Sequence, residues 1–382
     1  MTNFVNLHTH TTYSIMQSLI KPSELFKKVK ELGQSAIGVT DYGTLSGAWD
    51  CLKYSQEAGI KLIMGCEFFF VDDLSDLDSN QRLKTIVLLA KNHAGYKNLL
   101  QLNKLANDNH IVLFKKVHPR IDWKLLEKYS NGLICLTGSA GGILGQLIST
   151  RKKEQAFEVC QKLHKIFNDD LGLEIQPNAV VRQANSYNDY LDQTLVNNQI
   201  IKFAKQLNIK IIPAVNSHYL LSSQWESHDV LLAIGSGQPI KSGARFKYTK
   251  NDFYVKSSEE VRSFFARLYP DDVEEWLANT AEFANRCEIP VWIDPKFTNP
   301  SGKELPEFPV CDQFDYLDFK TWLQKPDERF GTIDFLQALT EQASYLRYCC
   351  FKSLNKIPKE KTSEYISRLL EEFDVLEFHG FC

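Results

Sequence analysis

The sequence predicts an α/β fold: a distorted seven-stranded (β/α) barrel followed by a separate helical region. Three observations predict it. Short runs rich in Ile, Val and Leu recur through the first 220 residues, without the clean alternation of a half-exposed strand. Helical patterns separate most of these runs, and strand–helix alternation of this length builds parallel sheet. Ionisable and polar residues collect at the downstream ends of the runs, where a barrel of parallel strands carries its chemistry.

The elements follow in order. The run Phe4–Leu7 leads straight into His8-Thr9-His10. Pro22-Ser23-Glu24 opens a helix whose apolar face is Leu25, Phe26, Val29 and Leu32, and Gly33 stops it. The second run, Ala36–Thr40, leads into Asp41-Tyr42-Gly43. Trp49, Leu52 and Ala58 mark a helix ending at Gly59, and Lys61–Met64 then leads into Gly65-Cys66-Glu67. The acidic stretch 72–78 reads as a solvated surface loop. The fourth run, Thr85–Ala90, precedes a helix marked by Tyr96, Leu99, Leu100 and Leu102. Gly132–Thr137 and Leu171–Ile175 are the fifth and sixth runs, with Ala156, Val159, Leu163 and Phe167 on the helix between them. A polar loop at 177–188 and a helix through Val196, Ile200, Phe203 and Leu207 lead to the seventh run, Ile209–Val215, and to Asn216-Ser217-His218.

After residue 220 the pattern becomes helical, around Trp225–Ile234, Ser258–Phe265 and Glu274–Cys287. Five of the thirteen prolines lie between Pro290 and Pro309, which favours extended backbone. The expected organisation is a barrel domain with helical extension at 1–289, a linker at 290–310, and a helical region at 311–382. The last region carries helical patterns at Ile333–Leu354 and Lys361–Phe378 and reads as a domain cut off just after its start.

Composition narrows the class. Of 382 residues, 43 % are hydrophobic and 24 % charged, as in ordinary globular chains. Neither a membrane span nor a secretory leader is expected. Nine scattered cysteines without a CxxC pattern read as reduced thiols in a cytoplasmic protein. A net charge of −3 argues against a chain that coats DNA over its whole surface, though not against part of a larger DNA-handling machine.

Candidate ligands sit at the strand ends. His8 and His10 are two apart on a strand, so both imidazoles face one side, a geometry suited to zinc, manganese or iron. Glu67 closes the third run, and His218 follows Asn216 by two. Asp41 reads either as a ligand or as a carboxylate orienting an imidazole. His93, His118 and His228 read as structural or solvated, and a hydrogen-bonded core network is the alternative for the whole set.

At these residues a resemblance emerges. His8-Thr9-His10, Thr40-Asp41-Tyr42-Gly43, Gly65-Cys66-Glu67 and Asn216-Ser217-His218-Tyr219 resemble the polymerase-and-histidinol-phosphatase (PHP) domain. Gly95-Tyr96-Lys97-Asn98-Leu99, His228-Asp229-Val230-Leu231-Leu232 and Phe253-Tyr254-Val255-Lys256-Ser257 extend it. Over essentially its whole length the chain resembles the N-terminal part of the bacterial C-family replicative polymerases, the DNA polymerase III alpha family. The resemblance is weakest near Tyr316–Gln342.

What the resemblance implies is a PHP-type barrel followed by the start of the polymerase palm. Family PHP sites hold a cluster of divalent metals on His, Asp, Glu and Cys. His8, His10, Glu67 and His218 match that pattern, but Gln17, Tyr42, Thr85, Ser139 and Asn216 stand where ligands are expected. A metal cluster needs anionic ligands to offset mutual repulsion and desolvation. The multi-metal site is therefore expected to be lost, with no stoichiometric zinc or manganese on elemental analysis; a single ion on His8, His10, Glu67 and His218 is the weaker alternative. No catalytic or cofactor-binding residue is assigned to this chain. The implied reaction is template-directed nucleotidyl transfer by the complete polymerase, using Mg2+ held outside this chain. Implied partners are the remainder of the alpha chain, a proofreading exonuclease subunit, other replisome subunits and DNA. The competing reading is a metal-dependent phosphoesterase or 3′–5′ exonuclease working in the barrel pocket.

Overall fold

The computed structural model describes residues 4–288, with breaks at 76–82, 114–115, 178–180, 183–189, 192, 243–244, 246 and 249–250, and most of 361–371. The chain divides into two units, Met1–Trp292 and Ile293–Cys382. The expected linker at 290–310 lies outside the described residues, as does nearly all of 311–382.

A seven-stranded sheet organises the first unit. Six strands lie side by side in the order Ala36–Val39, Lys61–Phe70, Lys84–Ala90, Leu133–Leu136, Leu171–Ile175 and Ile211–Pro213, and Arg120–Ile121 pairs with the end of Lys61–Phe70. These strands are buried on both faces, which explains their uninterrupted apolar character. Helices Pro22–Glu31, Ala48–Ala58, His93–Asp108, Lys153–Phe167 and Gln193–Leu207 fall where the patterns predict.

The sheet is mixed rather than all parallel. Lys84–Ala90 runs antiparallel to both neighbours. Among the described residues no helix separates it from Lys61–Phe70. A parallel return requires a crossover of a dozen or more residues, usually helical, so a chain lacking one turns straight back. The reversal brings Thr85, at the strand's beginning, opposite Phe69, near the end of its neighbour. Thr85 therefore lies at the same rim as the downstream ends of the parallel strands.

The first expected strand, Phe4–Leu7, is not a regular strand. It bonds to both edges of the curled sheet through scattered contacts. Gly38 N donates to Asn6 O at 2.7 Å and Thr40 N to Thr9 O at 2.8 Å. On the other side, His10 N donates to Ser217 O at 2.9 Å. The Asn6 side chain takes over part of the ladder: Oδ1 accepts from Val215 N at 2.8 Å and Nδ2 donates to Val215 O at 2.9 Å. A side-chain amide carries the same donor and acceptor as a peptide, so the segment bridges the edges without strand geometry. Gly38 permits the approach, because a Cβ there would lie 2.7 Å from the Leu7 backbone.

The core lies inside this curl. Val5, Leu7, Ile63, Val87, Leu89, Ile134, Leu136 and Ile212 pack with Phe283 and Ala284 of helix Val273–Arg286 and with Cys287 just after it. Burying each large aliphatic side chain contributes roughly 1.5–3 kcal/mol. The helix is tied to the first segment by Val5 N donating to Thr280 Oγ1 at 2.9 Å.

Candidate metal centre

Three expected ligands converge at the rim. His8 Nε2 lies 2.8 Å from Glu67 Oε2, His10 Nε2 lies 3.0 Å from the same oxygen, and the two Nε2 atoms are 3.3 Å apart. All three side chains are buried. Among the described residues this is the group of His, Cys, Asp and Glu whose ligand atoms could hold an ion, all lying within 4.8 Å of one another.

Their hydrogen bonds define what sits between them. His8 Nδ1 faces Glu174 Oε1 at 2.8 Å. A carboxylate accepts, so Nδ1 carries a proton. His10 Nδ1 faces Ser14 Oγ at 3.2 Å, and that hydroxyl donates its proton to Asp41 Oδ1 at 2.6 Å. The hydroxyl therefore accepts from His10 Nδ1–H. Both Nε2 atoms then point lone pairs at a carboxylate oxygen. Three convergent acceptors repel unless a positive charge lies between them. That charge is either a proton on His8 or a single cation.

The electrostatics agree with the proton when no cation is present. Burial by itself would lower the His8 pKa, but the carboxylates of Glu174 and Glu67 outweigh it and raise the imidazole from 6.5 to about 10. Burial opposes ionisation of Glu67, yet His8 and His10 hold its carboxyl well below the usual range. Burial and neighbouring Glu67 push the Tyr42 phenol far up, so its hydroxyl remains a donor.

The other expected residues have different roles. Asp41 is not at the convergence point. Its carboxylate accepts from Thr11 N at 2.6 Å, Thr11 Oγ1 at 2.7 Å and Ser14 Oγ, and so fixes the His10 tautomer through Ser14. His218 is stacked on His10 with centroids 4.6 Å apart and planes 8° apart. Its Nδ1 meets the Gln17 carbonyl at 3.0 Å and its Nε2 meets the Tyr248 hydroxyl at 3.3 Å. Tyr42 covers His10 from another side at 4.0 Å. His228, read as structural or solvated, also meets the Gln17 carbonyl, through Nε2 at 2.8 Å. Ser139 Oγ accepts from Gly141 N at 3.2 Å. Thr85 Oγ1, Asn216 Oδ1 and Glu174 Oε2 are buried without a hydrogen-bond partner among the described residues.

The donor set fits one divalent ion and does not fit a cluster. His8, His10 and Glu67 would hold it, with Glu174 directly behind His8. A Lewis acid here would polarise a bound oxygen. Two carboxylates balance one dication, whereas further ions would face only neutral Tyr42, Thr85, Asn216 and Ser139.

Sequence reading missed Glu174 and Tyr248. Glu174 had a signal: it is an ionisable residue within an apolar run expected to be buried on both faces, and a buried carboxylate needs a partner. Tyr248 lies on the two-residue strand Lys247–Tyr248, paired with distant Val181–Arg182, and carried no local signal.

Comparisons with known proteins agree with this architecture. Residues 6–178 match the PHP domain family. The chain is similar to DNA polymerase III subunit alpha of Borreliella burgdorferi, at 31 % identity over 387 residues covering 99 % of this chain and 29 % of the relative. The Helicobacter pylori protein of the same name is 30 % identical over 99 % of this chain and 30 % of its own length. That of Aquifex aeolicus is 31 % identical over 80 % of this chain and 27 % of its own. The chain thus spans less than a third of the length of these relatives. A solved putative metal-dependent phosphoesterase from Bifidobacterium adolescentis overlaps 68 % of this chain and 96 % of its own, with a TM-score of 0.34 and 12 % identity, a likeness too loose to inform function.

Proposed function

We propose that this chain is the N-terminal portion of a replicative DNA polymerase of the DNA polymerase III alpha type, and that its PHP domain acts in structure and docking. The observation that carries the reading is similarity along 99 % of the chain to polymerase subunits more than three times as long. The reaction of the complete enzyme is template-directed nucleotidyl transfer, with Mg2+ bound by carboxylates outside this chain. Its partners are the remainder of the alpha chain, a proofreading exonuclease subunit, other replisome subunits and DNA. The 382 residues alone do not synthesise DNA.

The site supports a bracing role. Asp41 is consumed by Thr11 and Ser14, and both nitrogens of His218 are engaged by protein. His8, His10 and Glu67 accommodate at most one divalent ion; the two imidazoles suit zinc, and the carboxylate admits manganese. The competing phosphoesterase or 3′–5′ exonuclease reading draws on the same convergence. Clamping both the attacking and leaving oxygens of a phosphoryl displacement takes two metals, and this donor set supplies one.

Mixing this chain with the separately prepared remainder of its polymerase tests the reading. Restored template-dependent synthesis, absent from either part alone, is the expected result. Manganese-dependent nuclease activity of this chain alone, abolished by His10→Ala, would establish the competing reading instead.

A further inference from the structure

We propose that Tyr248 determines the coordination number of this site: it latches the lone pair of His218, so the His8–His10–Glu67 group meets a divalent ion with three protein ligands rather than four. The proposal rests on the reading above that the group accepts a single ion.

The Gln17 backbone carbonyl can only accept, and His218 Nδ1 lies 3.0 Å from it. Nδ1 therefore carries the hydrogen, and the lone pair of the neutral imidazole is on Nε2. That atom faces the Tyr248 hydroxyl at 3.3 Å, so the phenol donates to it. His228 Nε2 donates to the same Gln17 carbonyl at 2.8 Å. The two imidazoles lie 5.3 Å apart across it, a second anchor on the orientation of His218. On its other side His218 stacks on His10, whose Nε2 belongs to the converging group. His218 is therefore beside the site, stacked on one of its ligands, with its lone pair held by a hydrogen bond. Tyr248 itself is fixed from outside the barrel, by strand pairing with Val181–Arg182 and by ring contact with Phe253 at 3.8 Å. Removing its hydroxyl leaves the ring packing in place and frees the lone pair.

The test compares the full chain with Tyr248→Phe, His218→Ala and the double variant, titrating zinc chloride by calorimetry. Tyr248→Phe should bind zinc about tenfold tighter or more, in the range by which partners outside the ligand set tune metal sites. His218→Ala should match wild type, and the double variant should lose the gain. Nitrogen-15 spectra of the metal-free proteins read the latch independently: His218 should be Nδ1-protonated, with an Nε2 resonance that shifts in Tyr248→Phe. An Nε2-protonated His218 overturns the latch whatever the zinc affinity. Equal affinities of wild type and Tyr248→Phe, or a weaker wild-type site in His218→Ala, overturn its role in coordination. No zinc uptake by any of the four proteins, with the expected tautomer intact, overturns the single-ion reading together with that role.

Discussion

Glu67 is the residue on which the site turns. It accepts from protonated His8, lies 3.0 Å from His10 Nε2, and takes a further hydrogen bond from Tyr42. Replacing it by glutamine keeps the shape and removes the charge, leaving the His8 imidazolium short of one partner. Removing one member of a buried ion pair costs about 3–5 kcal/mol. The cost should depend on pH in a defined direction. His8, raised above its unfolded value of 6.5 to about 10, contributes stability that is complete below pH 6.5 and fades as pH climbs to about 10. Glu67, held below its unfolded value of 4.5, contributes stability present above that value and lost as pH falls. Urea unfolding of wild type and Glu67→Gln should therefore differ most between about pH 4.5 and 6.5, with the gap shrinking towards both acid and alkali. A gap that widens between pH 7 and 10 would contradict the assignment of a buried imidazolium.

At the scale of elements, closure of the curled sheet depends on one missing side chain. Gly38 admits the Phe4–His10 segment against the Ala36–Val39 strand, and a methyl group there would collide with backbone rather than with a side chain that could move. Gly38→Ala should lower stability by about 1–3 kcal/mol or more, read as a fall in the urea midpoint. Gly141→Ala is the matched control at the same rim, since the nearest atom to its added methyl is 3.6 Å away. It should change stability by less than about 0.5 kcal/mol. The positions of the helices and of most strands were legible because each carries its own periodicity. The direction of Lys84–Ala90 was not, although the acidic loop before it contained the clue: a stretch with no helical pattern cannot return the chain for a parallel pairing. The irregularity of Phe4–Leu7 was equally hidden, because it arises from Asn6 bonding to Val215 across 209 residues. Convergence of His8, His10 and Glu67 was legible from their common place at strand ends. The groups around them were less so: Glu174 was marked only by being a carboxylate inside an apolar run, and Tyr248 arrives through pairing register with no local pattern.

On the scale of the whole molecule, the barrel brings together residues from Asn6 to Tyr248 and then spends most of their polar atoms on one another. A working hydrolase leaves ligands exposed to substrate, and this rim instead binds His218 to Tyr248 and commits Asp41 to Thr11 and Ser14. Such a site suits the structural role proposed above, and the modest net charge of −3 does not suit a chain that coats duplex DNA over its whole surface. The central claim is that the three convergent acceptors hold one cation, a proton or a single metal ion, and no more. Native mass spectrometry of the full chain, loaded with zinc or manganese and then exchanged into metal-free buffer, tests it most directly. The account predicts no more than one ion per chain, absent from a His8→Ala, His10→Ala double variant. Two or three ions per chain would contradict it.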